Sequence, residues 1–199
     1  MAKSENEYMV NEIFYSLQGE GRWAGRAAIF IRFSGCNLKC PFCDTDFKAH
    51  KDMTAKDILG AILQWNQCNF VVLTGGEPTL QVTTEFIDML HSNGYYVAME
   101  TNATRDVPHN VDWVTASPKK AYVEQGGVWL TSADEVKVVY DGEHEPDTFG
   151  IEADEYYIQP CDTGNTERNK LIVEQCVKWV ENHPKWKLSL QQQKIINVR

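Results

Sequence analysis

The chain has 199 residues and a formal net charge of -9, and both quantities limit what it can be. Its length predicts a single domain over residues 1–199, and an acidic chain is poorly suited to neutralise nucleic-acid phosphates, so we expect no nucleic-acid partner. No stretch approaches the roughly 20 apolar residues that cross a bilayer, and no secretory signal is readable. We therefore expect no membrane partner and a reducing, cytoplasmic location.

Strand and helix patterns alternate along the chain, which is typical of an α/β fold. The predicted strands, in chain order, are residues 10–15, 28–33, 69–73, 95–100, 111–115, 135–140, 155–159 and 187–191. The predicted helices are residues 54–65, 83–92 and 166–182. About six core strands with three main helices are too few for a complete (β/α)8 barrel, so we predict an incomplete barrel whose second half has short crossovers.

The helices carry recognisable start and stop signals. The first opens with the capping box Thr54-x-x-Asp57, Gly94 follows the second, and Pro184 follows the third. The apolar face of the first helix is predicted to contain Ile58, Leu59, Ile62 and Leu63. Two cysteines without ligand spacing, Cys68 and Cys176, are predicted to be small buried apolar residues.

Three cysteines, Cys36, Cys40 and Cys43, follow the predicted strand 28–33 in the spacing C-x3-C-x2-C. A structural zinc site closes its shell with four ligands, whereas three cysteines on a four-iron cubane leave one iron open to another ligand. Active sites of α/β barrels lie on the loops that follow the strands, and this motif occupies such a loop. The spacing favours an iron–sulfur cluster with one open iron. A zinc or redox-sensing module is the alternative of a different class.

A second loop, Thr74-Gly75-Gly76-Glu77-Pro78, follows the apolar strand NFVVL. Paired glycines let a ligand approach the backbone closely, and Thr74 and Glu77 add polar groups. Together with the cysteine motif, this loop resembles the radical S-adenosylmethionine (SAM) superfamily. The resemblance implies a [4Fe–4S] cluster on the three cysteines, with the amino and carboxylate groups of SAM on the open iron and the Gly75–Gly76 backbone holding the amino group.

A finer resemblance covers nearly the whole chain. The segment EIFYSLQGEGRWAGRAAIFIRFSGCNLKCPFCDT is similar to the N-terminal signature of the 7-carboxy-7-deazaguanine synthase family, and the similarity continues through TGGEPTLQ, ETNAT, ASPK, YIQPCD and LSLQQQKIINVR. That family converts 6-carboxy-5,6,7,8-tetrahydropterin to 7-carboxy-7-deazaguanine with loss of ammonia, in queuosine and deazapurine biosynthesis. A 5′-deoxyadenosyl radical abstracts hydrogen, and the ring then contracts. The resemblance implies the same lyase activity here, with SAM and Mg²⁺, a homodimer, and an electron donor such as a flavodoxin or ferredoxin.

The resemblance also assigns roles by motif position. The implied substrate contacts are Leu17, Gln18, Gly19, Glu20, Arg32, Thr74 and the terminal residue Arg199. Thr45 is the implied Mg²⁺ ligand, and Asp44 is the competing one. The implied SAM contacts are Phe42, Gly76, Glu77, Ser117, Pro118, Lys119, Gln159, Pro160, Cys161 and Asp162, and weaker candidates are Gly75, Glu100 and Asn102. The chain departs from the family pattern at Gln193, where histidine is usual.

A glycyl-radical-enzyme activase is the alternative within the superfamily, because it shares the cysteine spacing and a small size. Its substrate is a protein, so it would need an open groove. The SLQGEG run and a C-terminus that covers the substrate suit a small molecule instead, and we therefore expect a pterin.

Overall fold

A computed structural model describes residues 7–43, 45 and 49–199, so Asp44 lies outside the described residues. Within them the chain forms one nine-stranded sheet and four α-helices. The strands are β1 Glu7–Leu17, β2 Ala27–Phe33, β3 Lys51–Thr54, β4 Phe70–Gly75, β5 Tyr96–Thr101, β6 Trp113–Ala116, β7 Ser132–Tyr140, β8 Glu152–Pro160 and β9 Trp186–Leu188. The helices are α1 Ala55–Ile62, α2 Thr84–Ser92, α3 Thr166–Asn182 and α4 Gln192–Ile195. Over the same residues, no helix is both long and apolar enough to cross a membrane.

The sheet order is β3-β1-β2-β4-β5-β6-β7-β8-β9. Strands β2 and β4 to β9 run parallel to one another, while β1 is antiparallel to both β2 and β3. The connections from β5 through to β8 contain no α-helix, which confirms the predicted incomplete α/β barrel with short crossovers in its second half. Because parallel strands share one carboxyl edge, the loops that follow them converge there.

A strand or helix is present at every predicted position, although the last strand ends at Leu188 and not at residue 191. One short strand and one short α-helix were not predicted. Strand β3 is a four-residue segment, KDMT, that carries no apolar alternation and is defined by its pairing with β1. Helix α4 is a single turn of polar sequence. The prediction for Leu63 was wrong, since its side chain is 53% exposed. After Ile62 the helix tightens into a 3₁₀ turn, whose three residues per turn rotate Leu63 away from the buried face.

Helix ends and core positions follow the sequence signals. The capping box of Thr54 and Asp57 is formed at the start of α1, and Gly94 adopts a positive φ of 83° after α2. Cys68 and Cys176 are buried, as predicted. Cys176 lies on the inner face of α3, which packs against β8 and β9.

An aromatic plug closes the amino-terminal end of the barrel. The connection between β1 and β2 folds inward, and the Trp23 ring contacts Phe70, Tyr96 and Trp113, with ring centroids 5.5 to 5.9 Å away. These three partners are the first residues of β4, β5 and β6. The Arg26 guanidinium lies 4.1 Å from the Phe70 centroid and adds a cation–π contact. The plug thus anchors the residues that precede it, Gln18 to Gly21, inside the barrel.

The plug predicts a stability effect. Replacing the half-buried Trp23 (Trp23→Ala) should lower the free energy of unfolding by about 2–4 kcal/mol, because the variant loses three aromatic contacts and gains a cavity. Urea denaturation of the apoprotein measures this change. Trp129→Ala is the matched control, since that ring is 65% exposed, and it should change stability by about 0.5 kcal/mol or less. Equal losses in the two variants would contradict the plug.

Candidate active site

A cavity of about 550 Å³ opens at the carboxyl edge of the parallel strands. The loops that follow β2, β4, β5, β6 and β8 all contribute to its wall. Most of the residues singled out from the sequence line it, namely Gln18, Glu20, Arg32, Cys36, Cys40, Phe42, Cys43, Thr45, Thr74, Gly75, Gly76, Glu100, Asn102, Ser117, Lys119, Gln159, Pro160, Cys161 and Asp162. Residues far apart in sequence therefore meet in one space.

Five of the residues singled out from the sequence are not part of the cavity wall: Leu17, Gly19, Glu77, Pro118 and Arg199. Leu17 ends β1 and pairs with Ala27. Gly19 is buried beneath the Gln193 side chain, which occupies the space that a Cβ would need. The main-chain oxygen of Arg199, the last residue, accepts a hydrogen bond from the Ser16 hydroxyl, and the Arg199 guanidinium pairs with Glu12, which does line the cavity.

The three cysteines are free thiols in the loop after β2, and all three face the cavity. Burial raises the pKa of the Cys36 and Cys40 thiols. In the described part of the chain, no three histidine, cysteine, aspartate or glutamate side chains are already gathered into a metal-binding group. Soft thiolates without a fourth protein ligand suit an iron–sulfur cluster. The donor set thus fits such a cluster, and binding would draw the thiolates together.

The glycine loop after β4 packs directly on the cysteine loop. The Gly76 N–H donates to the Phe33 carbonyl at 2.9 Å, and the Glu77 N–H donates to the Gly35 carbonyl at 2.9 Å. A Cβ on Gly76 would collide with the Gly35 carbonyl group and lie 3.1 Å from the Cys36 nitrogen. This close backbone approach requires glycine, and it leaves the loop beside the cysteines as a cradle without side chains.

The Glu77 carboxylate is buried below this cradle and does not face the cavity. One oxygen accepts from the Thr79 N–H (3.1 Å) and from the hydroxyls of Thr79 (2.7 Å) and Thr101 (2.8 Å). The other accepts from the Asn102 N–H at 2.7 Å. A residue assigned to SAM from its motif position therefore acts here as a bridge between the glycine loop and the end of β5.

The opposite wall carries paired carboxylates around one ammonium group. Lys137 Nζ contacts the Glu20 carboxylate and lies 3.1 Å from Glu100 Oε2. Burial alone would raise the pKa of Glu20, but Lys137 lowers it to about 2. Gln18 Nε2 donates to Glu100 Oε1 at 2.8 Å. This wall therefore presents carboxylate acceptors to the cavity.

A cationic wall lies near the cysteine loop. Arg32 Nε is 2.9 Å from Glu12 Oε1, and its Nη1 is 3.4 Å from the Thr45 hydroxyl. Arg32 and Thr74 are register neighbours on β2 and β4, so they share a face of the sheet. The guanidinium is held at one edge by Glu12, and its other edge points toward Thr45.

The loops after β6 and β8 complete the cavity. Lys119 Nζ donates to the Ser117 carbonyl (2.7 Å) and hydroxyl (2.6 Å), and burial lowers the pKa of Lys119 to about 8. The Phe42 ring stands perpendicular to the Tyr122 ring, with centroids 4.8 Å apart. On the β8 side, Asp162 Oδ2 lies 3.1 Å from Lys194 Nζ.

Sequence reasoning missed several residues of the wall: Asn11, Glu12, Thr101, Lys137, Gln191, Gln193 as an inward-facing side chain, and Lys194. Lys137 left a readable signal, because it interrupts the apolar run EVKVVY of a central strand. A lysine there must find carboxylate partners inside the barrel. Asn11, Glu12 and Thr101 lie in or next to predicted strands but match no motif, and Gln191, Gln193 and Lys194 lie in a polar segment without a period that would fix their direction.

Comparisons with known proteins agree with this geometry. Residues 30–120 match the model of the radical SAM superfamily. The chain is 47% identical over 190 residues to the 7-carboxy-7-deazaguanine synthase of Bacteroides thetaiotaomicron, covering 96% of this chain and 98% of the relative. It is 40% identical over 215 residues to the enzyme of that name from Caulobacter vibrioides, covering 96% and 99% of the two chains. The chain belongs to the 7-carboxy-7-deazaguanine synthase family.

The fold agrees with this family assignment. The crystal structure of QueE from Escherichia coli superposes with a TM-score of 0.70 at 26% identity and covers 94% of both chains. The protein is thus a radical SAM enzyme with an incomplete barrel, and the family's cofactors are a [4Fe–4S] cluster and SAM. The cysteine loop and the glycine cradle fit both groups: thiolates for iron, and backbone carbonyl groups for an amino group.

The close contact between the glycine loop and the cysteine loop can be tested by substitution. Gly76→Ala should weaken SAM binding at least about tenfold and reduce iron loading, because the new methyl group would displace the Gly35 carbonyl beside Cys36. Anaerobic equilibrium dialysis with SAM and iron analysis measure both effects.

Gly60→Ala is the matched control, since a Cβ at Gly60 in α1 meets nothing within 4 Å. It should leave SAM affinity unchanged and raise stability by about 0.4–1 kcal/mol. Wild-type SAM affinity in the Gly76 variant would disprove the cradle.

Proposed function

We propose that the enzyme converts 6-carboxy-5,6,7,8-tetrahydropterin to 7-carboxy-7-deazaguanine with loss of ammonia, on the route to queuosine and other deazapurines. The observation that carries the proposal is the polarity of the cavity. The carboxylates of Glu20 and Glu100 line one part of the cavity, and the Arg32 guanidinium lines another part, beside the cysteine loop. The names of the relatives support the same reaction.

The acceptor wall suits the donor-rich edge of an aminopyrimidine. Glu20 and Glu100 would accept hydrogen bonds from the ring N–H and exocyclic amino groups, and the Gln18 amide would complete the edge. Charge-assisted hydrogen bonds of this kind are roughly twice as strong as neutral ones. The flat ring would then lie across the cavity with its carboxylate toward Arg32.

The cationic wall suits the substrate carboxylate and Mg²⁺. A planar guanidinium binds a carboxylate through paired hydrogen bonds, and Arg32 already has one edge fixed by Glu12. The Thr45 hydroxyl is one hard oxygen ligand, and Mg²⁺ commonly combines few protein ligands with water and substrate oxygens. We assign Thr45 as the protein ligand of this Mg²⁺.

The remaining wall would hold the cofactors. Cys36, Cys40 and Cys43 would bind the [4Fe–4S] cluster, and the carbonyls of the glycine loop would accept from the amino group of SAM. When bound, the cluster and SAM supply one-electron chemistry that generates a hydrogen-abstracting 5′-deoxyadenosyl radical. Lys119 is a buried cation hydrogen-bonded to neutral Ser117 groups and suits the SAM carboxylate. Phe42, braced by Tyr122, suits the adenine ring.

We also propose a cytoplasmic homodimer that receives electrons from a small carrier such as a flavodoxin or ferredoxin. Three apolar side chains near the C-terminus, Ile195, Ile196 and Val198, are 68%, 53% and 42% exposed and are available to a subunit interface. Sedimentation analysis of the anaerobic holoenzyme tests the dimer. A monomer at micromolar concentration would rule it out.

The decisive experiment is an anaerobic assay with a defined substrate. Reconstituted enzyme is incubated with the carboxytetrahydropterin, SAM, Mg²⁺ and a reductant, and the deazaguanine product is followed by mass. Cys40→Ala should lose turnover together with the cluster. Turnover in that variant with an intact cluster would refute the ligand assignment. Inactivity of the wild-type enzyme toward the pterin, together with glycyl-radical formation in a protein partner, would establish the activase instead.

The metal assignment makes a separate prediction. Thr45→Val keeps the side-chain volume but removes the oxygen ligand, so the Mg²⁺ concentration for half-maximal activity should rise at least about tenfold. A Mg²⁺ titration of the turnover rate measures this. Thr131→Val, at an exposed threonine outside the cavity, is the control. Unchanged activity with unchanged Mg²⁺ dependence would count against the assignment.

A further inference from the structure

Lys137 is a buried ammonium group inside the barrel. Along β7, the buried Val136 and Val138 pack in the apolar cluster that includes α3, and Lys137 points from the opposite face of the strand toward the cavity. Its side chain is 4% exposed. Nζ touches the Glu20 carboxylate and lies 3.1 Å from Glu100 Oε2. One cation thus joins a carboxylate from the connection between β1 and β2 to a carboxylate on β5.

The other oxygens of these carboxylates meet only amide donors in the hydrogen bonds of the described residues. Glu100 Oε1 accepts from Gln18 Nε2 at 2.8 Å. Glu20 Oε1 accepts from Gln191 Nε2 at 2.9 Å and from Gln193 Nε2 at 3.2 Å. The two carboxylates are therefore fixed side by side, and donors surround both of them.

Lys137 balances the negative charge of the Glu20 and Glu100 carboxylates. Burial would lower the pKa of the lysine, but Glu100, Glu20 and Glu135 raise it above its ordinary value. If the ammonium group were removed, the two partly buried carboxylates would repel each other, and this would favour protonation of one of them. A protonated carboxyl donates a hydrogen bond where an ionised one only accepts.

We infer that Lys137 is a positioning residue, which holds Glu20 and Glu100 together as the acceptors that read the donor edge of the pterin. The inference rests on the proposed function. Lys137 acts through the two carboxylates, which the proposed function places against the pterin, so its effect should fall mainly on the pterin and much less on SAM. A merely structural ion pair would affect both ligands alike.

The test is a set of Lys137 variants in the reconstituted holoenzyme, assayed for KM of the pterin and KM of SAM. Lys137→Met should raise the pterin KM about 30-fold, the loss expected for disturbing two charge-assisted hydrogen bonds, with SAM KM and iron content within about threefold. Lys137→Arg keeps the charge and should recover the pterin KM to within about fivefold of wild type. Lys178→Met, at an exposed lysine on α3, should match the wild type.

A second variant keeps the test sharp if Lys137→Met does not fold. Lys137→Met with Glu100→Gln leaves the net charge of the three groups unchanged, so it should fold. Because Glu100→Gln itself alters a pterin acceptor, the double variant is compared with Glu100→Gln alone, and its pterin KM should be the higher of the two. A wild-type pterin KM in either folded variant overturns the inference, as does a parallel rise of both KM values in every variant. The proposed function fails separately, if the wild-type enzyme makes no product from the pterin.

Discussion

The relative positions of the loops that form the site depend on the hydrogen bonds of the buried Glu77 carboxylate. The glycine loop lacks side chains that could hold it in place, so its position must be set from below. Glu77 does this through hydrogen bonds to the Thr101 hydroxyl and the Asn102 N–H at the end of β5. Its own N–H donates to the Gly35 carbonyl beside the cysteines. One residue therefore fixes the distance between three loops that no regular element joins.

Charged side chains inside the barrel are also held in fixed positions by their partners. Burying an ammonium group and two carboxylates is expensive unless every partner is satisfied, and an apolar core of equal volume would be at least as stable. The chain nonetheless places Lys137, Glu20 and Glu100 where a small barrel normally packs aliphatic residues. Apolar side chains pack between the sheet and the helices and, inside the barrel, in the Trp23 plug at the other end of the strands. Stability and recognition are thus separated along the barrel axis.

Sequence patterns predicted the location of the site well because parallel strands share one edge. Once Cys36 and Gly76 were each placed directly after a strand, their convergence followed from topology. Sequence patterns predicted the directions of individual side chains less well. Glu77 belongs to a motif associated with SAM, but its contacts are set by Thr101 and Asn102, which no local pattern links to it. Leu63 was misplaced because a 3₁₀ turn changes the rotation per residue, and short apolar periodicity does not reveal that change.

The C-terminal segment shows why part of this site depends on long-range contacts. Gln191 and Gln193 bind Glu20, Lys194 pairs with Asp162, and Arg199 pairs with Glu12. The segment therefore touches the acceptor wall, the β8 loop and the cationic wall in turn. Gly19 must lack a side chain because Gln193 occupies that space, so a glycine near one end of the chain is explained by a residue near the other. Bringing residues so far apart in sequence together has an entropic cost, which the contacts of the finished sheet must offset.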